Sequence, residues 1–117
     1  MLNRRKIGAQ YEQIVGEYLE RQGYQILEYN YYSRSGEIDI VAIHEGYLVF
    51  VEVKYRHKDT SGSPLEAVSV TKQRTICKCA LHYMRERQIE CMPVRFDVVG
   101  ILGNQLQVIQ NAFDFMY

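Results

Sequence analysis

The sequence predicts an α/β fold in which a mixed sheet of about five strands is covered by two helices. Three observations carry that expectation. Two stretches, residues 3–22 and 69–88, place apolar side chains at helical spacing. Short runs rich in β-branched and aromatic residues lie outside them, three between the helices and two after the second. The chain has 117 residues, 47% hydrophobic and 24% charged, so residues 1–117 are expected to form one domain.

In the first predicted helix Ile7, Tyr11, Ile14, Val15, Tyr18 and Leu19 make one stripe; Asn3 caps its start and Gly23 stops its end. Gly8, Glu12 and Gly16 form a neighbouring row. Glycine inside a helix costs about 1 kcal/mol relative to alanine, which points to close approach of another backbone along that row. Such an approach would turn Glu12 toward the sheet, although periodicity alone favours a partly exposed surface glutamate.

Residues 24–32 read as a strand, followed by a Ser33-Arg34-Ser35-Gly36 turn. The next strand carries Glu37, Asp39, Val41 and Ile43 on one face and Ile38, Ile40 and Ala42 on the other. A turn at Glu45-Gly46 leads to a third strand, Tyr47 to Arg56, with Leu48, Phe50, Glu52, Lys54 and Arg56 on one face. Glu52 and Lys54 therefore project together.

A polar loop from Lys58 to Pro64 precedes Ser69, an N-cap for the second helix. That helix buries a stripe of Gln73, Ile76, Cys77, Ala80 and Met84, and Gln73 opens it as a polar residue in need of a partner. Val94 to Ile101, a turn at Gly103-Asn104, and Gln105 to Gln110 complete the order α-β-β-β-α-β-β.

The apolar runs are only a few residues long, too short to span a membrane, and the basic N-terminus leads into an amphipathic helix. A cytoplasmic location is expected. Cys77, Cys79 and Cys91 lack the spacing of a zinc site or a disulfide framework and read as small apolar residues. The formal net charge is zero, yet Lys54, Arg56, Lys58, Lys72, Arg74 and Lys78 face only Asp59 and Glu66 between residues 54 and 78. Local patches govern phosphate binding more than the total does. Charge alone fits a solvated face equally well.

The chemistry centres on residues 36–56, where Asp39, Glu52 and Lys54 are set into apolar strands. A buried carboxylate is paired, protonated or bound to a cation. Mg²⁺ and Mn²⁺ prefer oxygen ligands, and Asp39, Glu52 and the carbonyl of Val53 offer a protein share of such a site. An ion there would polarise a phosphodiester and acidify a bound water, with Lys54 placed to orient that water or offset developing charge. A structural ion pair of Lys54 with Glu52 or Asp39 fits the same spacing.

Asp39, twelve intervening residues and Glu52-Val53-Lys54, after a helix bearing Glu12, resemble the PD-(D/E)XK nuclease superfamily. More narrowly, the chain resembles the YraN family of small bacterial endonuclease-like proteins over nearly its full length. The matching stretches include Gly36-Glu-Ile-Asp-Ile, Phe50-Val-Glu-Val-Lys, Lys72-Gln73, Arg95-Phe-Asp-Val and Asn111-Ala-Phe113. The resemblance implies a restriction-endonuclease-like αβββαβ core, close to that of Holliday-junction resolvases. It also implies a Mg²⁺- or Mn²⁺-dependent site acting on DNA phosphodiesters, with branched or nicked DNA as substrate. By motif position the catalytic residues are Glu12, Asp39, Glu52 and Lys54. Gln73 stands where relatives place a supporting polar residue, with Lys72 close enough to serve instead. Arg56, Lys58, Lys72 and Arg74 are the expected DNA contacts. Glu37 belongs to the motif without an assigned role. Junction-cutting relatives work as homodimers, but no segment here is an obvious interface. A non-catalytic nucleic-acid-binding or regulatory module on the same fold is the alternative. The joint presence of Asp39, Glu52 and Lys54 favours the enzyme.

Overall fold

A computed structural model describes residues 4–56 and 63–116, with side chains from Gln10 onward. The elements run α1 (Arg4–Arg21), β1 (Gln25–Ser33), β2 (Gly36–His44), β3 (Tyr47–Arg56), a single 3-10 turn (Pro64–Ala67), α2 (Val70–Glu86), β4 (Val94–Leu102) and β5 (Gln105–Phe113). This is the predicted order. The sequence reading ended the last strand at Gln110, whereas β5 continues to Phe113, which pairs with Phe96 beyond a bulge in β5 between Ile109 and Phe113. The 3-10 turn was not anticipated. Asn3 and Lys58 lie outside the described residues.

The sheet order is β1-β2-β3-β4-β5, with every neighbouring pair antiparallel except β3 and β4. A parallel pair needs a crossover, and α2 supplies it. Ser69 starts α2 as expected, its hydroxyl accepting the Lys72 N–H at 3.1 Å. Among the described residues no helix is long and apolar enough to cross a membrane.

The sheet is packed on both faces. Val15 and Leu19 of α1 cover Ile40, Ala42, Val49, Val51 and Val99. Ile76, Ala80 and Tyr83 of α2 cover Val41, Leu48, Phe50, Phe96 and Val98. β3 alternates between the two cores as its sequence predicts, so Glu52 falls on the side of α2. Ile14 departs from its expected place and is 50% exposed. α1 rests on the sheet along the Val15–Leu19 line, and one residue earlier the helix has turned toward solvent.

Strict alternation also fails in β2. Ile38 joins the core beneath α2, while Ile40 and Ala42 lie beneath α1, so the strand changes face at Asp39. β1 changes face with it: Tyr29 packs beneath α1 and Tyr31 beneath α2, on either side of Asn30, whose φ of 53° is left-handed. The β2–β3 pairing runs from His44 and Tyr47 to Ile40 and Val51. Beyond it β3 stays on β4 as far as Arg56, while β2 stays on β1 back to Gly36. The sheet therefore opens between β2 and β3 beside Asp39 and Glu52.

Gly16 lets α1 down onto this surface. A Cβ there would run into the ring and hydroxyl of Tyr29 on β1, so the close neighbour is a side chain where the sequence suggested a backbone. Gly16→Ala should destabilise the protein by about 1–2 kcal/mol in urea unfolding, although helix propensity alone predicts a gain of about 1 kcal/mol. A net gain in stability would show that α1 is not seated this closely.

Candidate metal centre

The opening between β2 and β3 holds the acidic residues singled out in the sequence. Asp39 reaches across it, its Oδ2 accepting the Val53 N–H at 2.7 Å. The side chain thus serves a backbone donor at the point where the ladder no longer does. Glu12 descends from α1 and is 8% exposed, so burial overturns the surface-glutamate reading. Carboxylate oxygens of Glu12, Glu37 and Asp39 lie within 4.8 Å of one another. Glu37, left without a role by the sequence, belongs to this group because the change of face at Asp39 brings it toward α1.

Glu52 stands beside the group and carries the cationic side of the site. Lys54 Nζ lies 3.5 Å from Glu52 Oε1, as their shared strand face requires, and Lys72 Nζ of α2 lies 4.0 Å from the same oxygen. The Gln73 amide donates to the Val68 carbonyl at 3.1 Å, at the entry to α2. The turn of about 100° between neighbours on a helix sends Lys72 toward the sheet opening and the Gln73 amide back to Val68. Arg56 is half-buried at the end of β3, and Arg74 is exposed on α2.

A cavity of about 300 Å³ gathers these groups, lined by Tyr11, Glu12, Glu37, Asp39, Glu52, Val53, Tyr55 and Lys72. The two tyrosines escaped the sequence reading. Their one signal was position, since Tyr11 precedes Glu12 and Tyr55 follows Lys54.

The electrostatics are those of like charges taken out of water. Asp39 is pushed up to about 9, first by burial and then by the charge of Glu52, against the opposing Val53 N–H. Glu12 is raised chiefly by burial, although Asn30 and Asp39 lie within hydrogen-bonding reach of its carboxylate. Burial also raises Glu52, while Lys72 and then Lys54 pull it back. Without a cation, the group relieves its repulsion by keeping a proton on Asp39.

The donor set suits a hard divalent cation. Its oxygens are carboxylates, and Glu12 Oε2 is buried with no hydrogen-bond partner among the described residues. A buried acceptor left unmatched is costly, and a cation would satisfy it.

For a buried acid whose folded pKa lies above its unfolded value, the folded state binds more protons between the two, so stability falls as pH rises through that window. Asp39→Asn removes the charge and keeps an oxygen for Val53. In metal-free buffer it should raise Tm by roughly 4 °C or more near pH 8 and by much less near pH 5. A difference that does not grow with pH would mean that Asp39 is not held protonated.

The sequence comparisons agree with one another. Residues 11–101 match the model of an uncharacterised protein family, UPF0102. A UPF0102 protein of Lachnoclostridium phytofermentans is 48% identical over 97% of this chain and 97% of its own length. Others from Persephonella marina and Vibrio parahaemolyticus are 43% and 40% identical, over 94% and 96% of this chain and 95% of their own lengths. With a family match that spans the fold from α1 to β4 and relatives aligned over nearly their whole lengths, this chain belongs to the UPF0102 family.

Proposed function

We propose that this UPF0102 chain is a Mg²⁺- or Mn²⁺-dependent endonuclease of the PD-(D/E)XK type, acting on DNA through the opening between β2 and β3. The observation that carries the reading is the unmatched buried oxygen of Glu12, set among the carboxylates of Glu37 and Asp39. An acidic cluster alone is common on proteins. One buried against two helices, with an orphaned acceptor and lysines at its rim, has the composition of a phosphodiester-cleaving site.

Asp39 and Glu12 would hold the cation, with Glu37 or Glu52 completing the protein's share. When bound, the ion would act as a Lewis acid on the phosphodiester and supply an activated water. The chain's own groups account for the remainder. Lys54 and Lys72 both approach Glu52, orient its carboxylate and place positive charge where the scissile phosphate would lie. The sheet opening keeps the carboxylates desolvated, which strengthens their grip on a cation. Arg74 and Arg56 lie on the flanking elements, as phosphate contacts outside the pocket would. The same reading takes residues 1–117 as one nuclease domain, with branched or nicked DNA as substrate and a homodimer as the form that cuts two strands.

Binding a cation must displace the Asp39 proton. Mn²⁺ affinity measured by titration calorimetry should therefore rise roughly tenfold per pH unit between pH 6 and 8, with about one proton released. Binding that is absent or indifferent to pH would sink the assignment.

Purified protein with Mn²⁺ or Mg²⁺ should cleave DNA, and Asp39→Ala or Glu52→Ala should reduce cutting by at least about a thousandfold. Lys72→Ala should cost about tenfold or more, whereas Gln73→Ala should leave turnover intact and cost about 1 kcal/mol of stability. DNA retention that weakens with salt but shows no cleavage under either metal would favour a binding module instead.

A further inference from the structure

The Tyr11 and Tyr55 rings wall the same cavity as the carboxylates, and the metal chemistry gives them no task. They stack with centroids 4.3 Å apart and planes 12° from parallel. Tyr11 is half-buried on α1, while Tyr55 keeps 38% of its surface exposed at the end of β3. Several other ring contacts among the described residues sit differently. Phe50, Phe96 and Tyr83 meet one another inside the apolar core beneath α2. A flat aromatic surface at the rim of a polar, acidic pocket has a different chemistry available to it. It can take the face of a planar, weakly hydrated group carried by the ligand.

We propose that Tyr55, backed by Tyr11, is a stacking platform for an unpaired DNA base next to the phosphodiester held at the carboxylates, so that the substrate is a single-stranded segment, such as a flap. This inference rests on the nuclease reading above and names the substrate class of that site. Nucleobases carry a π face on each side, and stacking on a protein ring is tolerant of sequence. In a continuous duplex both faces are covered by neighbouring base pairs, so a base reaches a tyrosine only from a single strand, an end or a flap. The chain spacing fits this division of labour. Tyr55 directly follows Lys54, and Tyr11 directly precedes Glu12, so the ring pair is fixed to α1 and β3, the elements that carry Glu12, Glu52 and Lys54.

The competing role for the pair is to dock α1 against the end of β3, and the experiment separates the two. Cleavage with Mn²⁺ is measured as kcat/KM on a flap-bearing DNA and on a relaxed, covalently closed circular duplex containing the same sequence, for the wild-type protein, Tyr55→Leu and Tyr55→Phe. Mn²⁺ affinity is measured on each by calorimetry. The wild-type protein should prefer the flap by about tenfold or more. Tyr55→Leu should bring the ratio close to one with Mn²⁺ affinity unchanged, and Tyr55→Phe should restore it. Equal wild-type rates on the two substrates would overturn the inference and leave the nuclease reading standing. So would a Tyr55→Leu protein that keeps the flap preference while its Mn²⁺ affinity falls, because that is the behaviour of a docking contact. Bound Mn²⁺ with no cleavage of either DNA would overturn the nuclease reading and this inference with it.

Discussion

The contact between the Asp39 carboxyl and the Val53 N–H fixes the geometry on which the site depends. Two strands that are paired as far as Ile40 and Val51 separate there, and a separating ladder leaves backbone donors facing a gap. The side chain of Asp39 fills that role for Val53, which ties the two halves of the sheet together at the moment they diverge. The same bond anchors one carboxylate oxygen and leaves the rest of the group to gather around it. Repulsion within the group is the cost of this arrangement, and burial, with that repulsion added, raises the pKa of the Glu12, Asp39 and Glu52 carboxyls.

Two hydrophobic layers hold the charges in place. α1 lies on one face of the sheet through Val15 and Leu19, with Gly16 permitting its close approach to Tyr29, and this seats Glu12 over the opening. α2 lies on the other face, and its first turn carries Lys72 to Glu52. Negative groups therefore converge from α1, β2 and β3, and positive groups from β3 and α2. Neither helix alone would assemble both signs of charge at one point.

A second buried polar group at the other end of β2 makes an instructive contrast. Arg95 grips Asp97 with two hydrogen bonds of 2.8 and 2.9 Å, and reaches Tyr24 Oη at 3.0 Å and His44 Nδ1 at 2.9 Å. Asp97 also accepts from the Tyr24 hydroxyl and the Asn111 N–H, and Tyr24 stacks on His44. Its carboxylate is matched by a guanidinium and by donors on every side, the condition under which a buried ion pair is tolerated. The group around Asp39 has similar burial and no such completion. That difference, and not the mere presence of buried charge, sets the opening between β2 and β3 apart from the Arg95 network.

Much of this was legible in the chain itself, for local reasons. Helical stripes, turn residues and strand alternation depend on spacings of two to four residues, so the element order and the joint projection of Glu52 and Lys54 could be read directly. The Asp39, Glu52 and Lys54 pattern stands out in this hairpin because charge inside apolar strands is conspicuous in sequence. The tertiary structure decided what depends on distant partners. Asp39 and Asn30 break the alternation of two adjacent strands together, and no single strand's pattern reveals a change of face that both share. Packing placed Glu12, which reads as a surface residue, beside Glu37 and Asp39 in the interior, because packing of α1 on β1 is a contact between segments and not a property of either. The contacts of Lys72 and Gln73 depend on the same kind of packing. Neighbours on a helix differ by about 100° in direction, and only the seat of α2 on the sheet determines which of them meets Glu52.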